Sequence, residues 1–363
     1  MVRWLSMYNI GIIGTSWAAR SPIPTFQTYK GVEVTAICSG KVENAIKCAN
    51  EFNIPNVEKN YIDLCKREDI DIIYIGTPVH LHKSMFLEAA KNNKHIICEK
   101  PLSLNQQEAK LMIQAAEKNN IESVVAFTMR HFDSHYAIKQ IIAKGQIGDP
   151  LHISINDFRG VPFSKSLPKY NWWHQKNKGG GILGAMGSHF IDLTRYMIAD
   201  FEQVSGTLKS IKTDAIDSKG KLKKITSDDM FNLQGILKSQ TTVSINCSIA
   251  TNTRLGSNRS IDIFGSKGSL SLQGDELSKE GSELSFTSNK SAVKQRVANI
   301  PKIRMTKAAQ NSTVPRFGLM IDKLIKSIKG DKQEPNVYDG FMCQKVIDAM
   351  PSANELGKVS PIK

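Results

Sequence analysis

Several things are scarce in this 363-residue chain, and each scarcity excludes a class of protein. The six cysteines (Cys38, Cys48, Cys65, Cys98, Cys247 and Cys343) stand apart and form no C-x-x-C pair. That spacing excludes a disulfide framework and a structural zinc site, and it suits a reducing compartment. No apolar run approaches the roughly 18 residues of a membrane helix. The N-terminal stretch "MVRWLSMYN" has neither the apolar core nor the cleavage site of a secretory signal, so a cytoplasmic protein is expected. Acidic residues are outnumbered, 34 Asp and Glu against 48 Lys and Arg, for a net charge of +14. Nucleic acid is the first partner such a charge suggests. The lysines are dispersed, however, with only short clusters such as "SKGKLKKIT" (Ser218–Thr226), and no helix-turn-helix, basic arm or zinc finger accompanies them. Nucleic acid and membrane are therefore set aside as partners. The charge favours anionic small molecules, phosphorylated cofactors among them.

What is present is an ordinary globular balance, 40% hydrophobic and 23% charged, over a length that suggests two domains. The first third alternates strand and helix signals. Apolar runs at Tyr8–Gly14, Val32–Ser39, Ile70–Pro78, "KHIICEKP" and "ESVVAFTM" are separated by helical spacings such as the apolar positions of Lys41–Phe52. Regular alternation of this kind predicts βαβ units and a parallel sheet of Rossmann type. After "SHYAIKQIIAKGQIGDP" the style changes. Runs such as "LHISINDFRG", "FEQVSGTLKSI", "QTTVSINCSIA" and "RSIDIFGSKGSLSLQ" follow one another across turns, which predicts a largely antiparallel open sheet. Helices are expected at Ser188–Ala199, Arg316–Lys329 and Asp339–Leu356, and Asn289–Thr313 reads as a mobile excursion over the second domain. The expected fold class is α/β followed by α+β. The expected division is 1–128, a dinucleotide-binding domain, and 129–363, a substrate-binding domain. The default site is the cleft between them.

The opening loop, "GTSWAAR" after the first strand, is a dinucleotide fingerprint with two substitutions. A glycine at the first position permits the tight turn, one at the second lets the backbone approach a pyrophosphate, and one at the third lets helix and strand pack. Gly14 keeps the first role, Ser16 is small and brings a hydroxyl, and Ala19 is an accepted third residue. Gly14, Thr15, Ser16, Trp17 and Ala18 are the expected pyrophosphate contacts, at a helix N-terminus. The alternative is a structural turn with no ligand. The end of the second strand, "AICSGKVEN", has no carboxylate to accept from ribose hydroxyls. Ser39 and Lys41, with Gly40 between them and Arg20 nearby, suit a 2′-phosphate, so NADP(H) is favoured over NAD(H). Lys41 as a plain exposed lysine at a helix start is the other reading.

"GTPVHLH" and "CEKPL" both follow predicted strands and fall at the carboxyl edge of the sheet, where ligands bind in such folds. Thr77, Pro78 and His82 from the first are expected cofactor contacts, and in the second Lys100 stands beside Glu99 at the mouth of the cleft. A lysine there would donate to a substrate hydroxyl or relay a proton, although a Glu-Lys pair is also a common surface feature. In "GGGILGAMGSHFIDLTRY", flexible backbone leads to His189 near a helix start, with Asp192 three residues on. That pair would form a general acid/base with its orienting carboxylate, or a histidine satisfied within the fold. Trp172 and Trp173 would offer aromatic faces to a substrate or pack as core. Arg159 would face an anionic substituent or stand exposed on its strand. No cluster has metal-ligand spacing and no nucleophile elbow is present.

Taken in order, the glycine loop, "TPVHLH", "EKPL", "TMRHF", "GGGILGAMGSHFIDL", "IDIFGSKGSL" and "VYDGFMCQKVIDA" resemble the family of glucose–fructose oxidoreductase, inositol dehydrogenase and their rhizopine-catabolism relatives over nearly the whole chain. The resemblance implies an NAD(P)-dependent oxidoreductase acting on CH–OH groups of sugars or cyclitols. It gives Glu99 and Lys100 the nicotinamide end and the substrate, and it makes His189 the partner of that lysine. Arg130 of "TMRHF" joins the cofactor contacts on the same ground. It also implies a homodimer or homotetramer formed through the second domain's sheet. The chain departs from the pattern in two places. Ala185 stands where dehydrogenases of this family carry an aspartate four residues before the histidine, and Val79 stands where an asparagine is common. Lys100 and His189 would then suffice, helped by Asp192, or the protein would be a non-catalytic nucleotide- and sugar-binding sensor or scaffold. A hydrolytic or elimination cycle on glycosides would need further acid/base groups that the sequence does not show.

Overall fold

The computed structural model describes residues 7–159, 167–250, 257–275, 281–290, 293, 295–297, 299–356 and 359–362. The described residues of Met1–Thr128 with those of Arg304–Phe341 form one compact unit, and the described residues of Met129–Ile303 with those of Met342–Lys363 form a second.

In the first unit the elements run β1 (Tyr8–Ile13), α1 (Pro22–Thr28), β2 (Val32–Cys38), α2 (Val42–Phe52), β3 (Asn56–Val57), α3 (Tyr61–Lys66), β4 (Ile72–Ile75), α4 (His82–Lys91), β5 (His95–Cys98), α5 (Gln106–Lys118) and β6 (Ser123–Val125). The strands form one six-stranded sheet in the order β3-β2-β1-β4-β5-β6, every pair parallel. Strands buried on both faces read as unbroken apolar runs, which is why Ile10, Ile12, Ile72, Ile73, Ile96 and Ile97 have no exposed surface. Local chemistry sets several helix starts. Pro22 opens α1, where its fixed φ suits the helix and its missing N–H costs nothing. Asn60 caps α3 by accepting from the N–H groups of Ile62 and Asp63. Asn105 caps α5 through the N–H of Glu108.

The second unit carries α6 (Asp133–Ala143), β7 (Pro150–Arg159), α7 (Ser188–Met197), β8 (Phe201–Lys209), β9 (Asp214–Ile216), β10 (Leu222–Lys224), β11 (Met230–Leu237), β12 (Thr242–Ser248), β13 (Ser257–Gly265), β14 (Gly268–Gly274), β15 (Ser282–Ser288) and β16 (Gln295–Arg296). The chain then forms α8 (Lys307–Gln310), α9 (Pro315–Ile328), α10 (Val337–Leu356) and β17 (Ser360–Pro361). The main sheet has nine strands in the order β16-β15-β14-β13-β7-β12-β11-β8-β17, antiparallel except where β12 runs parallel to β7. Period-two burial gives it one apolar face, with Ile153, Ile155, Phe231, Leu233, Val243, Ile245, Ile261 and Ile263 buried. The opposite face carries a polar ladder. Asn232 pairs with Asn246, and Asn246 donates to Asn156 Oδ1 at 2.9 Å.

The sequence reading assigned everything after residue 128 to the second domain. The structure instead returns Arg304–Phe341 to the first unit. The reason is burial: Phe317, Met320, Ile321 and Leu324 of α9, with Ala309 of α8, join the core built by Ile10, Phe26, Tyr74 and Ile97. Each large side chain of that set stabilises the unit by roughly 1.5–3 kcal/mol before entropy. The last ten residues of the expected excursion, 304–313, therefore belong to this unit and not to the second. Residues 291, 292, 294 and 298 of it lie outside the described residues. No helix among the described residues is long and apolar enough to cross a membrane.

Candidate active site

The loop after β1 turns tightly at a glycine and leaves several backbone N–H groups without a described acceptor. Gly14 has φ +102°, and a Cβ there would lie 2.5 Å from the carbonyl oxygen of Gly76. Only glycine lets the ends of β1 and β4 approach this closely. Its N–H donates to Cys38 O at 2.9 Å, which ties the loop to the end of β2. From Thr15 to Ser21 the chain forms a turn, and α1 opens at Pro22. Ala19 N–H donates to Thr15 O and Ile23 N–H to Ala18 O. The N–H groups of Thr15, Ser16, Trp17 and Ala18 donate to no described acceptor. A run of unpartnered backbone N–H groups is an anion-binding concavity, and Ser16 at its centre is exposed. The loop fits a pyrophosphate. At the end of β2, Ser39 is half-buried while Gly40 and Lys41 are exposed. Lys41 takes the N-cap position of α2 with extended backbone, and Gly40 faces open space. Arg20 is exposed as well.

At the ends of β4 and β5 the two expected motifs are brought together. His82 has no exposed surface. Its Nε2 lies 2.8 Å from Thr77 O, and its Nδ1 lies 3.1 Å from Pro101 O and 3.3 Å from Leu102 O. His82 thus braces the backbones of "GTPVHLH" and "CEKPL" against each other, and burial lowers its pKa. This corrects its expected role as a cofactor contact: a side chain with no accessible surface shapes the site from behind. Thr77 and Pro78 are half-buried at the rim, and Lys100 is half-buried, joined to Pro101 by a cis peptide. Glu99 is 8% exposed. Its Oε1 accepts from Trp17 Nε1–H at 2.8 Å and from Tyr74 O–H at 2.9 Å. Burial pushes the Glu99 carboxyl above its usual range, against the opposing pull of Lys100 and these two donors. Tyr74 was not singled out from the sequence, although a lone hydroxyl in the apolar strand "IIYI" is the signal that marks it.

In the second unit His189 is the second residue of α7 and is 7% exposed. The glycine-rich approach to it is not loose: Leu183–Gly187 wind into a π-helical turn that includes Ala185. Asp228 holds the start of that turn, accepting from Leu183 N–H at 2.7 Å. Burial raises the Asp228 carboxyl to about 6. Nothing in its local sequence, "TSDDM", distinguished it.

Asp192 was expected to orient His189, and Arg130 to touch cofactor. The structure pairs these two with each other. Arg130 Nε–H donates to Asp192 Oδ2 at 2.8 Å and Nη2–H to Oδ1 at 2.6 Å, with both side chains buried. A carboxylate engaged on both oxygens by a guanidinium is a structural tie. Arg159 is likewise drawn inward, donating from Nε to Asp157 Oδ2 at 3.0 Å. Arg259, 3% exposed, stands 3.4 Å from the same oxygen and 3.2 Å from Asp275 Oδ1. Trp172 and Trp173 sit edge-to-face in a short turn capped by Asn171, half-buried and so neither core nor free surface. The turn packs so tightly that a Cβ on Gly180 would lie 2.1 Å from Trp173 O. Among the described residues no group of three or more His, Cys, Asp or Glu side chains is placed to hold a metal ion.

A parallel doubly wound unit with a glycine turn and anion cradle at the carboxyl edge of its sheet, joined to a second unit built on an open mixed sheet, defines a dinucleotide-dependent enzyme of two-unit type. Comparison with known proteins makes the assignment particular. Residues 8–127 match the family described as "Oxidoreductase family, NAD-binding Rossmann fold", and residues 135–271 match the "GFO/IDH/MocA C-terminal domain". The chain belongs to the Gfo/Idh/MocA family and is an NAD(P)-dependent oxidoreductase. Levoglucosan dehydrogenase of Pseudarthrobacter phenanthrenivorans is 30% identical over 56% of this chain and 54% of that enzyme. Glucose-6-phosphate 3-dehydrogenase of Bacillus subtilis is 26% identical over 66% of this chain and 67% of that enzyme. A solved levoglucosan dehydrogenase, in complex with NADH and L-sorbose, superposes with a TM-score of 0.86 over 98% of this chain and 99% of that one, at 21% identity. At that identity the superposition establishes the fold.

Proposed function

We propose that the protein moves a hydride between a nicotinamide nucleotide, NADP(H) in preference to NAD(H), and a carbinol or ketone carbon of a sugar- or cyclitol-like substrate. The observation that carries this reading is the cradle at Gly14: four unpartnered N–H groups beside a strand end that has hydroxyl and cation but no carboxylate. Gly14, Thr15, Ser16, Trp17 and Ala18 hold the pyrophosphate, while Ser39 and Lys41, with Arg20, read a 2′-phosphate. The nucleotide supplies or accepts the hydride. Thr77, Pro78 and Glu99 border the nicotinamide end, and Lys100 donates to the reacting hydroxyl. His189 takes the family's second acid/base position. Trp172 and Trp173 offer aromatic faces to a sugar. Arg159 is held by Asp157, so its charge reaches an anionic substituent only where it remains exposed. Six buried thiols suit a cytoplasmic setting, and the polar face of the nine-stranded sheet offers a surface for a homodimer or homotetramer.

One observation favours a second reading, a nucleotide- and sugar-binding sensor without turnover. Position 185 has no carboxylate, and Asp192 is engaged by Arg130. Titration with NADPH and NADH, followed by nicotinamide fluorescence, tests the main reading on wild type and Lys41→Glu. NADPH is expected to bind more tightly, and the substitution is expected to weaken NADPH by about tenfold or more while sparing NADH, since it removes one charge-assisted contact and adds a repulsive one. An equal effect on both nucleotides overturns the NADP preference. Failure of both to bind wild type overturns the oxidoreductase reading. A sugar panel with the preferred nucleotide then separates enzyme from sensor.

A further inference from the structure

Trp17 does more in the structure than line a loop. Its indole N–H and the Tyr74 hydroxyl converge on one oxygen, Glu99 Oε1, at 2.8 and 2.9 Å. The three residues come from neighbouring strands: Trp17 follows β1, Tyr74 belongs to β4 and Glu99 follows β5, adjacent in the order β1-β4-β5. Tyr74 has no exposed surface and sits beneath Gly76, whose added Cβ would lie 2.5 Å from the tyrosine ring. It is therefore a rigid post. Trp17 is 42% exposed, so its indole is not held by core packing and the bond to Glu99 is what orients it. The Lys100 backbone N–H also donates to the Glu99 carboxylate, but Lys100 is the next residue in the chain, so that bond is local. Trp17 and Tyr74 are the donors from other elements, and they fix the direction of a terminal torsion that is otherwise broad.

We propose that Trp17 is a positioning residue: through Glu99 it sets the pyrophosphate cradle at a defined distance from the Glu-Lys-Pro segment at the nicotinamide end. This rests on the nucleotide reading above. Part of the orienting work needed for hydride transfer is then done before the nucleotide binds. A ligand that uses both ends feels the registration, and a ligand that uses only the cradle does not.

Trp17→Phe keeps an aromatic ring and deletes the donor. Calorimetric titration compares whichever of NADPH and NADH binds wild type more tightly with the same nucleotide lacking the nicotinamide ring (ADP-ribose, with or without its 2′-phosphate). The expected result is a loss of about tenfold for the dinucleotide, the low end for a hydrogen bond to a charged group, and less than about twofold for the ring-less ligand. Tyr74→Phe removes the other donor and carries the same expectation, so it decides the matter should the Trp17 variant fail to fold. In a Glu99→Leu background, Trp17→Phe is expected to change dinucleotide affinity by less than about twofold, since partners in one network couple. Equal losses for both ligands, no loss for either, or a full effect without Glu99 overturns the positioning role. Absence of nucleotide binding to wild type removes the functional reading itself, and this proposal with it.

Discussion

Replacing Asp192 with Asn asks whether that carboxylate holds the fold or serves the chemistry. The side chains of Arg130 and Asp192 are 4% and 2% exposed, and two short bonds join them. The guanidinium carbon also lies 5.1 Å from the centre of the Tyr196 ring, and Arg195 Nη1 stands 4.0 Å from Asp192 Oδ1. Asn is nearly the same shape as Asp but neutral, so the substitution strips the charge that balances a buried guanidinium. Breaking such a pair by removing one partner costs about 3–5 kcal/mol. For a unit of this size that lowers the melting temperature by roughly 6–20 °C. Replacing both partners by apolar residues, Arg130→Met with Asp192→Leu, is expected to restore most of that loss, since no charge is then buried alone. Thermal unfolding of the three variants, with turnover measured well below the lowest melting temperature, gives the result. A structural tie predicts large loss of stability and turnover within about tenfold of wild type, far above the loss that removal of an acid/base group brings. An Asp192→Asn protein that melts like wild type but has lost turnover by about 100-fold or more refutes the reasoning. It would return Asp192 to the catalytic set.

Gly14→Ala is expected to abolish tight nucleotide binding and to lower the melting temperature. It forces a side chain into a left-handed backbone, at about 1–2 kcal/mol, and against a carbonyl oxygen 2.5 Å away. Nicotinamide fluorescence and calorimetry check both effects, and wild-type affinity in the variant would contradict the cradle. His135 predicts an acid limb of stability. It is 2% exposed, donates from Nδ1 to Met129 O at 2.8 Å, and burial lowers its pKa from 6.5 to about 4, with the Arg259 charge adding to the effect and Met129 O and Asp275 opposing it. The unfolded chain takes up a proton below about pH 6.5 that the folded chain refuses until about 4. Stability is therefore complete above 6.5 and falls through that window, by about 3 kcal/mol from this group. Urea denaturation across pH 4–7 should show a shallower decline in His135→Gln, and parallel curves for the two proteins would contradict the assignment.

The parallel unit was legible because its strands are buried on both faces and bounded by turn residues. The runs ending at Gly14 and Ser39 each sit within a residue or two of where β1 and β2 stop, while "KHIICEKP" overran the end of β5 at Cys98 by three residues. The two-residue strands β3, β16 and β17 were not legible, since two residues carry no period. Nor was the parallel pairing of β12 with β7, which joins segments more than 80 residues apart; periodicity says which face of a strand is buried but not which strand lies beside it. The helix of Arg316–Lys329 was visible as an amphipathic run, yet its apolar stripe did not say which core it would enter.

For the site, the sequence by itself determined the residues whose chemistry is local. Gly14 has no side chain to clash, Ser16 and Lys41 present hydroxyl and charge wherever the strand ends put them, and the order of the motifs specified the family. Tertiary structure decided the pairings. It turned His82 from a ligand contact into a brace, gave Asp192 to Arg130 and Arg159 to Asp157, brought Tyr74 and Trp17 to one oxygen of Glu99, and stationed Asp228 at the turn before His189. The physical reason is the same in each case. A buried polar group must find its partner among whatever the packing brings within about 3 Å, and that neighbour is set by the three-dimensional path of the chain.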